Sequence, residues 1–226
     1  MVAAGQGSRL KGPVPKQYRE LAGVPMLLRA LRPFTAHPEV GHVVVVLPPG
    51  DVTVPPPWLA GLAGGGLTLA AGGAERTDSV AHGLAALPGH CRTVLVHDAA
   101  RPLVDRGTID RVIELARTGT AAVPAVPLGD TLKQTDPDDP ALTVRSTIPR
   151  DRLWRAQTPQ GFSRALLEEA HARARQDGLR ATDDAVLLER LGAPVRLVEG
   201  SQLNFKVTTE EDLRLAELVI RNASEK

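Results

Sequence analysis

The ten residues TVLVHDAARP, at positions 93–102, decide the fold. Thr93 to Val96 form a short apolar run rich in β-branched side chains, the pattern of a buried strand. The run ends abruptly in His97-Asp98, and Pro102 closes the segment. In an open α/β sheet, ligands bind beyond the carboxyl ends of the strands. A carboxylate placed there suits Mg²⁺, which takes one or two carboxylates together with phosphate oxygens. Asp98 is therefore the metal candidate, with capping of the following turn as the plainer alternative. Arg101 is placed to hold a phosphate, against a surface salt bridge. His97 reads as packing.

Working outward, four further runs share this character: VVVVLPP (43–49), LTLAAGG (67–73), AAVPAVPL (121–128) and PVRLVEG (194–200). Between and after them lie segments with helical spacing of apolar residues, at 24–34, 76–87, 105–118, 163–176, 183–192 and 210–223. Strands alternating with helices predict a parallel sheet covered on both faces. Thr208-x-x-Glu211 is expected to box the start of the last helix. Residues 130–153 are polar, Pro-rich and interrupted by the alternating stretch LTVRST. They read as a protruding β-excursion, with a plain surface loop as the other possibility.

The chain opens with AAGQGSRLKGPVPKQY at 3–18. It is not a dinucleotide fingerprint: Leu10 stands at the third glycine position, and Pro13 and Pro15 forbid the helix that would receive the pyrophosphate. It is not a Walker loop either, because Pro13 follows Gly12 where Lys is required. What remains is a small-residue turn followed by cations, able to wrap a triphosphate. Backbone amides, a bidentate Arg9 and a mobile Lys16 would hold the oxygens. A glycine turn with solvated cations is the alternative. Only Met1 and Val2 precede the turn, so the first strand is expected to be very short, or the native chain to start further upstream.

Two more segments stand out. In NFKVTTEED, Lys206 is one of only five lysines in a chain with 27 basic residues, so it is a candidate phosphate contact. In Thr182-Asp183-Asp184, Thr182 is the expected cap of the next helix and the carboxylates suit its positive end.

The bulk numbers bound the partners. A net charge of +1 over 226 residues gives no basic field for nucleic acid. No apolar run reaches the length of a membrane span, and no signal-peptide pattern opens the chain. The lone Cys91 excludes an internal disulfide and points to the cytoplasm. No histidine spacing suggests zinc.

Taken together, AAGxGxRL with PKQY, GGxERxxSV (72–80), VHDAARP, DTLK, RxxLWxAQTPQxF (150–162), TDDA and NxKVTxxED, in this order, closely resemble the 2-C-methyl-D-erythritol 4-phosphate cytidylyltransferase family. The resemblance implies a Rossmann-like three-layer α/β fold of the nucleotidyltransferase type, residues 1–226 forming one such domain. It implies a homodimer built through a β-arm at about 130–153. The reaction would join CTP to a polyol phosphate, releasing pyrophosphate, with Mg²⁺ or another divalent cation as cofactor. It further implies Arg9, Lys16 and Lys206 as catalytic cations on the phosphates and Asp98 on Mg²⁺. Ala3, Ala4, Gly5, Gly7, Gly73 and Ser79, with Arg9 and Lys16, would bind the nucleotide. Asp98, Arg101, Thr182 and Lys206 would meet the sugar phosphate, joined by Thr131 and Arg150 from the partner's arm. Ala74 departs from relatives that carry an acidic residue between Gly73 and Glu75. A cytidylyltransferase acting on ribitol 5-phosphate, and a non-catalytic nucleotide-binding protein, remain as alternatives.

Overall fold

A computed structural model of the chain describes residues 1–5, 10 and 12–224. The apolar runs form strands Val43–Leu47, Leu67–Ala71, Thr93–Val96, Ala121–Pro127 and Val195–Glu199. Val43–Leu47 pairs in parallel with Leu67–Ala71, and Ala121–Pro127 with Val195–Glu199. Residues 1–3 stitch the two halves together. Val2 bridges Val46 on one side and Asp98 on the other, both in parallel. Its N–H donates to the His97 carbonyl at 2.8 Å, and its own carbonyl accepts from Ala99 at 3.0 Å. The very short first strand thus sits at the centre of the sheet, beside both principal motifs.

The sheet is not wholly parallel, contrary to the expectation from the strand–helix alternation. Gln160–Ser163 runs antiparallel between Thr93–Val96 and Ala121–Pro127, and Trp154–Ala156 pairs antiparallel with Ala121–Pro127. The inserted strand lets the chain leave the carboxyl ends, pass through the arm and return beneath them.

Helices cover both faces, giving three layers. On one face Leu27, Leu31 and Phe34 of helix Met26–Thr35 and Ile109 and Ile113 of helix Arg106–Arg117 pack on Val43, Val45 and Leu47. On the other, Val80 and Leu84 of Arg76–Ala85 and Leu167 of Arg164–Gln176 meet Val94, Val96 and Phe162. The alternation of the strands and the i, i+4 spacing of the helices sort these side chains to their faces. Helix Glu210–Ser224 closes a smaller cluster of Leu21, Met26, Val207 and Leu213. Within 130–153, Leu132–Thr135 and Val144–Ile148 pair antiparallel as a separate two-stranded sheet.

The cap of the last helix lies one residue beyond the predicted Thr208–Glu211 box. Thr209 Oγ1 accepts from the Asp212 N–H at 3.2 Å, and Asp212 Oδ2 accepts from the Thr209 N–H at 2.9 Å. The same oxygen also takes both the N–H and the hydroxyl of Thr208, each at 2.7 Å. Asp212 therefore ties down the segment that carries Lys206.

A buried relay fixes the end of Thr93–Val96. The Asp98 N–H donates to Thr158 Oγ1 at 3.1 Å, and His97 Nδ1 lies 2.9 Å from the same hydroxyl; because His97 Nε2 faces a carbonyl and carries the ring proton, Nδ1 accepts from Thr158. His97 Nε2–H then donates to the Arg101 carbonyl at 3.1 Å. The ring must stay neutral to accept from Thr158, and burial lowers its pKa from 6.5 to about 3. His97 also packs on Phe34, with ring centroids 4.8 Å apart, which bears out the packing role.

Two outcomes follow from this wiring. Asp212→Ala should cost about 0.5–2 kcal/mol in denaturant unfolding, as loss of a helix cap does, and Glu211→Ala less than half of that; equal costs would return the cap to Thr208 and Glu211. Between pH 6.5 and 4 the unfolded chain gains a proton at His97 that the folded chain refuses. Stability contributed here is intact above pH 6.5 and falls by up to ~1.4 kcal/mol per pH unit as pH drops toward the folded value. Urea unfolding of His97→Gln over the same window should lack that slope; an identical slope in both proteins would place the titration elsewhere.

Candidate active site

The carboxyl ends of the central strands enclose a cleft of about 190 Å³, lined by Arg76, Asp98, Arg101, Ala156, Gln157, Thr158, Gln160, Thr182, Asp183 and Lys206. Four of the sequence candidates, Asp98, Arg101, Thr182 and Lys206, meet here from three distant parts of the chain. A larger concavity of about 400 Å³ borders the same central strands, with His42, His90, Cys91 and Arg117 in its lining. Among the described residues, none of those expected to bind substrate lines it, so the smaller cleft is the candidate site.

Asp98 is the electrostatic centre. Lys206 Nζ lies 2.7 Å from its Oδ2, and Arg76 approaches Oδ1 at 3.5 Å. Burial alone would raise the Asp98 pKa; Arg76, Lys206 and Arg101 together outweigh it and hold the carboxyl well below the usual range. Asp98 is thus an ion-pair partner rather than a turn cap. An ionised carboxylate at the cleft with both oxygens facing cations is a donor set that fits Mg²⁺, which needs few protein ligands and completes its shell from phosphate and water.

Arg101 is not a surface salt bridge. Its guanidinium donates to the Asn204 carbonyl at 2.8 Å and the Ala156 carbonyl at 3.3 Å, spanning the strand end and the NFK segment. Burial lowers its pKa, with Asp98 opposing. Asn204, fully buried, donates Nδ2 to the Thr158 carbonyl at 2.8 Å and so holds the two motifs together.

Thr182 lines the cleft but does not cap the helix Ala185–Arg190. That role falls to Asp183, whose Oδ1 accepts from the Val186 N–H at 3.1 Å. Asp183 Oδ2 also accepts from Gln160 Nε2 at 3.1 Å. The neighbouring Asp184 turns inward, pairing with Arg76 at 2.8 Å and His171 at 3.0 Å.

Among the described nucleotide-side candidates, Ala3, Ala4, Gly5, Gly73 and Ser79 gather at the adjacent corner. Ala3 is buried and hydrogen-bonded to Val46 at 2.8 Å, and Ala4 and Gly5 lead out of the central strand. A Cβ on Gly72 would lie 2.4 Å from the Ala4 Cβ, and one on Gly73 2.3 Å from the Asp78 Cβ. Only glycine lets this turn cross so close. Ser79 Oγ accepts from the Gly73 N–H and donates to the Glu75 carbonyl, each at 3.1 Å. Ser79 is thus a buried brace of the turn. Lys16 opens a single 3₁₀ turn, Lys16–Tyr18, and is half-buried. The turn is anchored by Tyr18 donating to Asp51 at 2.7 Å and by the Arg19–Glu210 pair. Gly7 and Arg9 lie outside the described residues. Thr131 and Arg150 sit at the base of the arm, away from their own chain's cleft, with Arg150 bonded to the Gly129 carbonyl.

The sequence reading overlooked Arg76, Gln160 and Asp183 as cleft residues. Each lies inside a quoted motif, but Arg76 reads as part of a helix start, Asp183 as a carboxylate at a helix end, and Gln160 carries no signal of its own.

The family model "IspD: 2-C-methyl-D-erythritol 4-phosphate cytidylyltransferase" matches residues 1–222. The chain is 46% identical over 216 residues to the 2-C-methyl-D-erythritol 4-phosphate cytidylyltransferase of Salinibacter ruber, covering 95% of this chain and 89% of the relative. It is also 46% identical over 222 residues to a bifunctional enzyme IspD/IspF of Solidesulfovibrio magneticus; that match covers 94% of this chain and 54% of the longer protein. The crystal structure of the 2-C-methyl-D-erythritol 4-phosphate cytidylyltransferase of Thermus thermophilus superposes with a TM-score of 0.81 at 42% identity, covering 97% of each chain. With the cleft and the motif order in agreement, the chain belongs to the 2-C-methyl-D-erythritol 4-phosphate cytidylyltransferase family.

Proposed function

We propose that this protein joins CTP and 2-C-methyl-D-erythritol 4-phosphate into 4-diphosphocytidyl-2-C-methyl-D-erythritol and pyrophosphate, a step of non-mevalonate isoprenoid synthesis. The observation that carries the reading is the convergence of Asp98, Arg101, Thr182 and Lys206 in one cleft beside the glycine turn at 72–73. An oxygen of the acceptor phosphate forms a bond to the α-phosphorus of CTP, and the bond to the β-phosphate oxygen breaks with its electron pair. The nucleophile is already an anion, so no general base is required. The work is positioning and charge stabilisation. Lys206 and Arg101 face the acceptor phosphate across the cleft. Lys16 and Arg9 come from the opening loop to the triphosphate. Mg²⁺, held by Asp98, would draw charge off the phosphate oxygens.

The same reading makes the protein a cytoplasmic homodimer. Cys91 is a free thiol, and among the described residues no helix is long and apolar enough to cross a membrane. Leu132, Leu142 and Val144 of the arm are exposed at 38%, 67% and 53%, an apolar surface that a second copy would cover. Thr131 and Arg150, outside their own chain's cleft, would then reach the partner's cleft.

Pyrophosphate release with CTP and Mg²⁺ should require 2-C-methyl-D-erythritol 4-phosphate. Ribitol 5-phosphate as the better acceptor would move the protein to another pathway. Lys206→Ala and Lys16→Ala should each lower kcat ~10²-fold or more, the loss expected for one charge-stabilising donor; near-normal turnover in either removes that residue from the machinery. Mixing Arg150→Ala with Lys16→Ala subunits should restore part of the activity. Verified heterodimers that stay inactive would refute a shared site.

A further inference from the structure

The cleft holds a cation that its phosphate-binding role does not explain. Arg76 is the first residue of helix Arg76–Ala85, and that helix start is locked. The Glu75 N–H donates to Asp78 Oδ2 at 3.1 Å, and Ser79 ties the turn to Gly73. From this fixed base one guanidinium nitrogen pairs with Asp184 Oδ2 at 2.8 Å, and the other reaches Asp98 Oδ1 at 3.5 Å. Asp184 is itself immobilised: its side chain is 1% exposed, and its other oxygen meets the buried His171 Nε2 at 3.0 Å. A row of paired polar side chains thus runs from His171 through Asp184 and Arg76 to Asp98.

The two cations on Asp98 are held in different ways. Arg76 is three-quarters buried and clamped behind by Asp184. Lys206 is 42% exposed, with a single-point ammonium on Asp98 Oδ2. A divalent cation arriving at Asp98 is repelled by both, and Lys206 is the one free to withdraw toward an arriving phosphate.

We propose that Arg76 is a positioning residue: anchored on the Asp184–His171 pair, it fixes the Asp98 carboxylate so that only the Lys206 side must open to a divalent cation. The inference rests on the cytidylyltransferase reading for the cation's role, but not for the geometry. A guanidinium can do this because its planar fork spans two carboxylates; an ammonium meets one.

The competing account is that Arg76 merely neutralises buried Asp184. Two variants separate them. Arg76→Lys keeps a charge for Asp184 but cannot bridge to Asp98. The double variant Arg76→Met with Asp184→Asn removes the buried charge together with its partner. Mn²⁺ binding, read as free ion by electron paramagnetic resonance with and without CTP, should weaken ~10-fold or more in both, the usual effect of losing a group that orients a metal ligand. Melting temperature should be largely retained in Arg76→Lys, and kcat should fall with the KM for CTP little changed. Wild-type Mn²⁺ binding and turnover in either variant would overturn the proposal, as would a wild-type protein that binds no Mn²⁺. A wild-type protein that binds Mn²⁺ yet releases no pyrophosphate would strike the enzymatic reading instead, and the Mn²⁺ comparison would still decide on Arg76.

Discussion

The structure depends on one carboxylate. Asp98 sits where the short central strand meets the end of Thr93–Val96, backed by the neutral His97 relay and faced by Arg76 and Lys206. A site for two phosphorylated substrates needs concentrated positive charge, and cations crowded into a partly buried cleft repel one another. Interleaved carboxylates resolve this. Asp98 and Asp183 stand among Arg76, Arg101 and Lys206, with Asp184 behind Arg76, so carboxylates offset most of the positive charge before substrate arrives. Phosphate oxygens can then recruit cations already present at short range, with little of the reorganisation that costs rate.

The backbone serves the same end. Residues 1–3 join the two halves of the sheet, so the motifs at 3–5, 72–73 and 98–102 fall side by side at the carboxyl ends. Gly72 and Gly73 allow the turn to press against Ala4 and Asp78. The antiparallel strand Gln160–Ser163 brings Gln157, Thr158 and Gln160 into the cleft from below, where a purely parallel sheet would have sent a crossover helix.

Most of the fold was legible because periodicity survives in sequence. Runs such as VVVV and TVLV admit only buried strands, and the helices show their apolar stripes. What escaped lacked a period or had two registers. Gln160–Ser163 reads QGFS, two polar residues and a glycine, and its strand character comes from its neighbours. The stretch TTEED offers caps at Thr208 and at Thr209, and the choice falls to Asp212 because one oxygen can gather three donors there. In Thr182-Asp183-Asp184 the pattern gave the turn but not which carboxylate would face inward. Asp98 and Arg101 were legible as cleft candidates because they follow a strand end, and Lys206 because it stands between Phe205 and Val207 in a chain poor in lysine. Arg76 was not, since an arginine opening a helix looks like surface.

The division of labour between the two kinds of cation is a physical consequence of their shapes. The chain uses arginine almost everywhere and lysine at five positions, two of them in the motifs at 16 and 206. Arg76 and Arg101 each make two fixed contacts, on carboxylates or on carbonyls, and their planar forks hold them in place. Lys206 makes one contact on a flexible stem, which it can exchange for a phosphate without disturbing the frame. Under the proposed function, arginine supplies the fixed part of the cleft and lysine the charge that would follow the phosphate. The scarcity of lysine in the rest of the chain is what singles out Lys16 and Lys206 as candidates.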